Sequence, residues 1–167
     1  IGTVTDNLGV FLLEGVTAHE KLAPVTVENE GFYLASRSFV PTENAADEIS
    51  TVNIILLAKN LAGTVNALVG GTVDLEGMSI YFPANAFSRD GQPYTGTVNV
   101  ALNHIDPTKE DLHRQMPGML MGVMNDEPQL MLSYGMAGVE LSDAAGNRVE
   151  LAQGSQATVR FPIPEGQ

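Results

Sequence analysis

The sequence predicts an all-β protein made of two consecutive antiparallel β-sandwich modules, the first incomplete at its N-terminus. Three observations lead there. The apolar runs are short, and each is bounded by Gly, Asn, Asp or Pro. The 17 glycines and 9 prolines are spread along the 167 residues rather than clustered, which marks a turn-rich globular chain. Only Pro107-Thr108-Lys109-Glu110-Asp111-Leu112-His113-Arg114 reads as a helical turn, with Pro just inside its start and acidic residues early, where they complement the helix dipole. The length accommodates one large all-β domain or two small ones.

Composition removes several classes of function. Eight Lys and Arg against 20 Asp and Glu give a formal net charge of −12, the wrong sign for a surface that holds phosphate backbones. No nucleic-acid partner is expected. The chain has no Cys, so no disulfide, thiolate metal site or thiol nucleophile can be built. No apolar run approaches the roughly 20 residues that span a bilayer, so no membrane-spanning segment is expected. No basic stretch followed by an apolar run and a small-residue cleavage site opens the chain, so export would rely on a leader removed or lying upstream.

Taken in order, Ile1-Gly2-Thr3-Val4-Thr5-Asp6-Asn7-Leu8-Gly9-Val10-Phe11-Leu12-Leu13 places an Asp-Asn-Leu-Gly turn between two β-rich runs, which predicts a hairpin. Its first strand starts at Ile1, as in a fragment of something longer. Further strands are predicted at Pro24 to Glu28, Gly31 to Val40 and Ser50 to Lys59, with Asn44-Ala45-Ala46-Asp47-Glu48 as a polar loop. Lys59-Asn60-Leu61-Ala62-Gly63 ends an apolar strand and reads as a short junction, dividing the chain into residues 1–61 and 62–167. Gly70 to Phe87 then reads as two strands turned back at Glu76-Gly77 and closed by Pro83-Ala84-Asn85-Ala86. Strands are expected at about 64–69, 71–75, 78–82, 96–104, 118–124, 129–134, 136–142, 147–151 and 155–161, with turns at Arg89 to Pro93 and Asp143 to Asn147.

Two family resemblances emerge from these residues. Thr3-x-Thr5-Asp6-x-x-Gly9-x-Phe11-x-Leu13, then Pro24-Val25-Thr26-Val27 and Gly31-Phe32, resembles the later part of the carboxypeptidase regulatory-like domain, a small transthyretin-like sandwich. The family's usual first strands are absent, so the resemblance implies a truncated module over residues 1 to 59. Gly70-Gly71-Thr72-Val73, Ser79-Ile80-x-Phe82-Pro83-x-x-Ala86-Phe87 and Gly96-x-Val98-x-Val100 are similar to the domain shared by netrin receptors, ankyrins and zonula occludens proteins. The ordered series Asp106-Pro107-Thr108, Met116-Pro117-Gly118, Ser133-Tyr134-Gly135, Val139-Glu140-Leu141 and Phe161-Pro162-x-Pro164 is closer to the related module of cartilage intermediate layer protein and its bacterial relatives. Some relatives of that module cut themselves at a His-Phe-Ser triplet, which this chain lacks.

No catalytic, cofactor-binding or metal-ligating residue is assigned. His19, His104 and His113 are too scattered for a zinc motif, and His104 with Asp106 is the nearest approach to a ligand pair. Ser133-Tyr134-Gly135 lacks the preceding Gly of a nucleophile elbow and reads as a strand meeting a bulge. Met116, Met119, Met121, Met124, Met131 and Met136 suggest a copper(I) site by sulfur chemistry, but alternation on a strand sends Met119 and Met121 to one face and Met116 and Met124 to the other. They read instead as flexible apolar filler or an adaptable contact surface. Calcium is the one ion left open, at Asp106, Glu110 and Asp111, at Asp126 and Glu127, or at Asp6 and Asn7, none of which follows an EF-hand loop.

The resemblances imply a non-catalytic structural or adhesion module, extracellular or at a cell surface. Its partners would be proteins: copies of itself joined through open sheet edges into filaments, or neighbouring domains of a longer chain. The alternative is an accessory binding domain of a larger secreted enzyme acting on peptides or glycans.

Overall fold

The computed structural model describes residues 1–17, 23–39, 49–116, 120–125 and 127–162. Its architecture is essentially all-β and antiparallel, with one short helical segment, α1 (Leu112–Gln115). The expected loop at Asn44 to Glu48, His19, Pro117, Gly118, Met119, Asp126 and Pro164 lie outside the described residues.

The core lies between two three-stranded sheets. One is ordered β11 (Met136–Ser142), β8 (Thr97–Ile105), β3 (Leu61–Asn66); the other is ordered β13 (Thr158–Arg160), β5 (Met78–Phe82), β4 (Gly71–Leu75). Period-2 alternation decides which side chains enter. Val98, Val100 and Leu102 of β8 are buried, as are Met78, Ile80 and Phe82 of β5, with Val65, Val73 and Leu141 filling between them. Each such large apolar side chain contributes about 1.5–3 kcal/mol relative to exposure.

The β4–β5 hairpin turns at Glu76-Gly77 with positive φ at both residues, 49° and 81°, the two-residue loop whose twist suits flanking strands. At the other end of β4, Gly70 sits at φ 77°, and its amide donates to the Asn66 carbonyl at 2.8 Å. Here the chain passes from the first sheet to the second. A side chain at Gly70 would run into backbone, foremost the Phe82 carbonyl oxygen, so the crossing requires glycine.

A third sheet, β12 (Glu150–Leu151), β6 (Phe87–Arg89) and β7 (Gln92–Pro93), closes one side. Arg89 to Pro93, expected as a turn alone, is a small hairpin around Asp90-Gly91. Phe87 packs on Phe82 with ring centroids 5.4 Å apart. The Asp143 to Asn147 turn forms as expected and is built on one buried carboxylate. Asp143 accepts hydrogen bonds from the Ala145 and Asn147 amides (2.9 and 2.8 Å), the Asn147 side chain (2.9 Å) and the Arg89 guanidinium (2.6 Å). These donors, the Asn147 side chain foremost, hold its pKa down at about 2. The carboxylate thereby ties the β11 turn to β6.

Residues 23–39 form a separate two-stranded sheet, β1 (Ala23–Val27) with β2 (Ala35–Phe39). Pro24 is tolerated because β1 is an edge strand. A second small pair joins β9 (Met121–Met124) to β10 (Glu127–Leu130).

Two expected strand regions differ. Ser50 to Lys59 is extended but forms no regular strand: its hydrogen bonds are divided between the loop before β2 and α1, through Tyr33 N–H to the Leu57 carbonyl, Lys59 N–H to the Gly31 carbonyl and Ile55 N–H to the Arg114 carbonyl. Ile54, Ile55, Leu56 and Leu57 are all half-buried, so no alternation commits the segment to one sheet face. Residues 1–13 keep their turn, with the Asp6 carboxylate accepting from the Leu8 and Val10 amides, but the strands flanking it form no ladder. Two strands alone expose as much apolar surface as they cover.

Besides the Ile55 hydrogen bond to α1, residues 23–59 meet the rest of the chain through Tyr33, Lys59 and Arg37. The Tyr33 ring lies over Gly138, where an added Cβ would be 3.3 Å from it. Lys59 pairs with Glu140 at 2.9 Å, and Arg37 donates to the Met116 carbonyl at 3.3 Å.

Candidate interaction surfaces

The N-terminal segment carries the most exposed apolar side chains described in this chain. Ile1 and Val4 are 89% exposed and Leu8 82%, with Val10, Leu12 and Val16 also open to solvent. Apart from the Asp6 turn and a bend at Gly15, the segment has no assigned secondary structure and no ladder partner among the described residues. Unpaired strand edges with apolar side chains are templates for pairing.

Receptive edges exist elsewhere. β11 is the outer strand of its sheet, and among the described residues only its end is covered on the far side, by the Ser142–Arg148 bridge and the Val149 to Leu141 hydrogen bond. Val139 lies half-exposed along the uncovered part. Met124 at the end of β9, and Met131, Leu132 and Tyr134 after β10, are exposed as well.

Two open cavities lie on the described surface. The larger, about 270 Å³, lies where β2, residues 51–53 and α1 converge; Arg37, Arg114, Ser38, Thr51 and Asn53 supply its polar lining. Burial lowers the Arg37 pKa from its ordinary value. The smaller, about 210 Å³, lies between the start of β3, the end of β8 and the Glu76 turn, with His104 in its wall.

The candidate ligand residues are engaged elsewhere or lack a ligand set among the described residues. His104 lies at the core end of β8, its ring 6.2 Å from Phe161 and its Nε2 shielded without a described hydrogen-bond partner. Asp106 instead closes its own turn: it accepts from the Thr108 amide and hydroxyl at 2.8 and 2.7 Å, which hold its pKa below the usual carboxylate range. Asp111 is engaged by Gln115, and Asp6 by its own turn. Among the described residues no three His, Asp or Glu side chains gather as a metal site. Ser133 is tied into a local turn with Gly135, donating to its carbonyl at 3.4 Å and accepting from its amide at 3.2 Å. The methionines diverge, Met116 being buried while Met124 and Met131 are exposed. The side chains of His113 and Met121 fall outside the description.

Sequence reading passed over Arg37 and Arg114, which are remote in the chain and belong to no motif. The cue available was electrostatic: two of only eight cations in an acidic chain. Compared with known proteins, the chain matches no family model, no curated protein and no solved structure. Among the described residues no helix is long and apolar enough to cross a membrane.

Proposed function

We propose that this chain is a non-catalytic structural and adhesive element of an extracellular or cell-surface protein, built from two β-modules and joined to its neighbours by β-strand addition. The observation that carries the reading is the N-terminal segment, which has no strand partner among the described residues and leaves its apolar side chains open to solvent. In strand addition the main-chain hydrogen bonds supply affinity and alternate side chains supply specificity. Residues 1–17 offer an apolar segment, and the edge of β11 that is uncovered among the described residues offers a place to receive it. Burial of Val4, Leu8, Val10 and Leu12 against a neighbouring sheet would stabilise contact by about 1.5 kcal/mol or more for each side chain fully covered.

The test is sedimentation of the chain over a range of concentrations, beside a variant lacking residues 1–17 and a Val4→Asp/Val10→Asp variant. Association in the parent, lost in both variants with the melting temperature kept, is the expected result. A parent that stays monomeric at high concentration and shows no amide shifts when titrated with a peptide of residues 1–17 would refute strand addition.

A further inference from the structure

We propose that the cavity between the start of β3, the end of β8 and the Glu76-Gly77 turn binds a primary ammonium group carried on a short apolar stem, as in an alkylamine or the lysine side chain of a partner. Its volume is about 210 Å³. Leu75 and Leu102, which pack at the margin of the core, give it an apolar part, and Glu76, Asn60, Asn103 and His104 give it a polar one. No Lys or Arg is in this lining.

Regular geometry breaks down around the cavity. β3 shifts register against β8 between Leu61 and Gly63, leaving Ala62, a lining residue, without a partner in the ladder. Such bulges re-aim a strand and are frequent beside functional sites. Glu76 holds φ 49°, a conformation that Gly, Asn or Asp adopts more readily. Glutamate has no backbone preference to offer there, so its contribution is the carboxylate. The His104 ring forms part of the wall, and its shielded Nε2 has no hydrogen-bond partner. Residues in sparsely populated conformations and unsatisfied buried polar atoms gather where a fold has been shaped for a purpose other than stability.

The lining selects the ligand. An ammonium group has three donors and no acceptor, so it requires oxygens. Glu76 supplies a carboxylate and Asn60 and Asn103 supply amide carbonyls, and none of these side chains has a described hydrogen-bond or ion-pair partner. The bond to the carboxylate is charge-assisted and the stronger. The net charge of −12 raises the local concentration of cations. Leu75 and Leu102 offer apolar surface of the kind that amine stems cover. An anion would face Glu76 with no cation to balance it, and an alcohol has one donor where three are wanted. Because Glu76 sits in a two-residue turn between paired strands, its backbone is already fixed when the ligand arrives.

Amide-shift titration at low salt, about 20 mM, where screening is weak, tests this with n-butylammonium chloride and, separately, with an end-blocked tripeptide bearing lysine at its centre. Saturable binding of at least one probe in the millimolar range or tighter is expected, with shifts centred on residues 60–62, 75–77 and 102–104. n-Butanol and butyrate should bind at least about tenfold more weakly. Glu76→Asn suits left-handed backbone better than glutamate, so it should hold or raise the melting temperature while weakening amine binding roughly tenfold. A glutamate with a structural role alone would not show that split. Glu76→Gln, which keeps the shape and removes the charge, should weaken binding to a similar extent. Glu150→Gln, at a surface ion pair with Arg148, should leave binding unchanged. Tighter binding of the peptide supports a lysine of a partner chain as the ligand, and tighter binding of butylammonium supports a free amine. Absence of saturable binding of either amine at about 10 mM, equal binding of n-butanol, or equal weakening by Glu76→Asn and Glu150→Gln overturns the site.

Discussion

Replacing Gly70 by alanine perturbs the point where the chain crosses between the two sheets, and its cost can be worked from geometry. A Cβ there would run into the Phe82 carbonyl oxygen and lie 2.7 Å from the Pro83 carbonyl carbon and 2.8 Å from the Ala84 nitrogen. All three are backbone atoms and cannot swing aside. The left-handed conformation alone costs a non-glycine residue about 1–2 kcal/mol, and forced displacement of packed backbone adds about 1–3 kcal/mol. Gly70→Ala should therefore destabilise by about 2–5 kcal/mol. Gly77→Ala provides the control, because its φ is also left-handed at 81° but its nearest atoms are Pro162 side-chain carbons at 3.7 Å. That variant should lose only the conformational part, about 1–2 kcal/mol. Urea denaturation followed by far-UV circular dichroism measures both, with the slope checked for constancy. Each kcal/mol corresponds to about 2–4 °C in melting temperature for a chain of this size. If Gly70→Ala costs no more than Gly77→Ala, the close approach of β4 to the end of β5 is wrong.

Three further perturbations address the core and its ionisable groups. Phe82→Ala should cost about 3–5 kcal/mol, whereas Tyr81→Ala, half-exposed on the opposite face, should cost about 1 kcal/mol or less; comparable losses would mean that the register of β5 is shifted by one residue. The Asp143 carboxyl, held at about 2 against an ordinary 3.8, contributes stability that is complete above about pH 4 and lost as pH falls toward 2. Asp143→Asn should flatten that limb of a melting-temperature profile, and an unchanged limb would exclude the carboxylate as its source. The Tyr33 phenol is pushed up to about 12 by burial and then by the nearby Glu140 charge. Its ionisation is disfavoured in the folded state, so stability should decline as pH rises from 10 toward 12. Tyr33→Phe should abolish this decline, and it should hold or raise stability at neutral pH because the hydroxyl is buried without a described partner. Ultraviolet titration should show a late phenol that is absent in that variant.

The legible parts of the fold were those where local chemistry and burial agree. Strands 71–75, 78–82 and 136–142 were readable to the residue, because alternating apolar positions meet turn residues that tolerate left-handed backbone, Glu76-Gly77 above all. Ser50 to Lys59 misled because apolar content predicts burial, whereas a strand also needs one continuous ladder partner. The hairpin expected at residues 1–13 misled for the same reason, although its turn was correct. Of the candidate ligand residues, Asp106 and Asp6 were weakened by a rule the sequence carries, that Asp in turns binds its own backbone.

The sequence by itself determined the all-β class, most turns and the inward faces of β5 and β8, since these follow from period-2 alternation and the φ preferences of single residues. Tertiary structure decided what spacing cannot encode. It placed Arg37 and Arg114 in the lining of one cavity, shielded the His104 Nε2, set Asp143 under four donors and, among the described residues, left residues 1–17 outside every sheet. Each depends on which remote segments meet, and that is fixed by the packing of two sheets around a shared core rather than by any local preference.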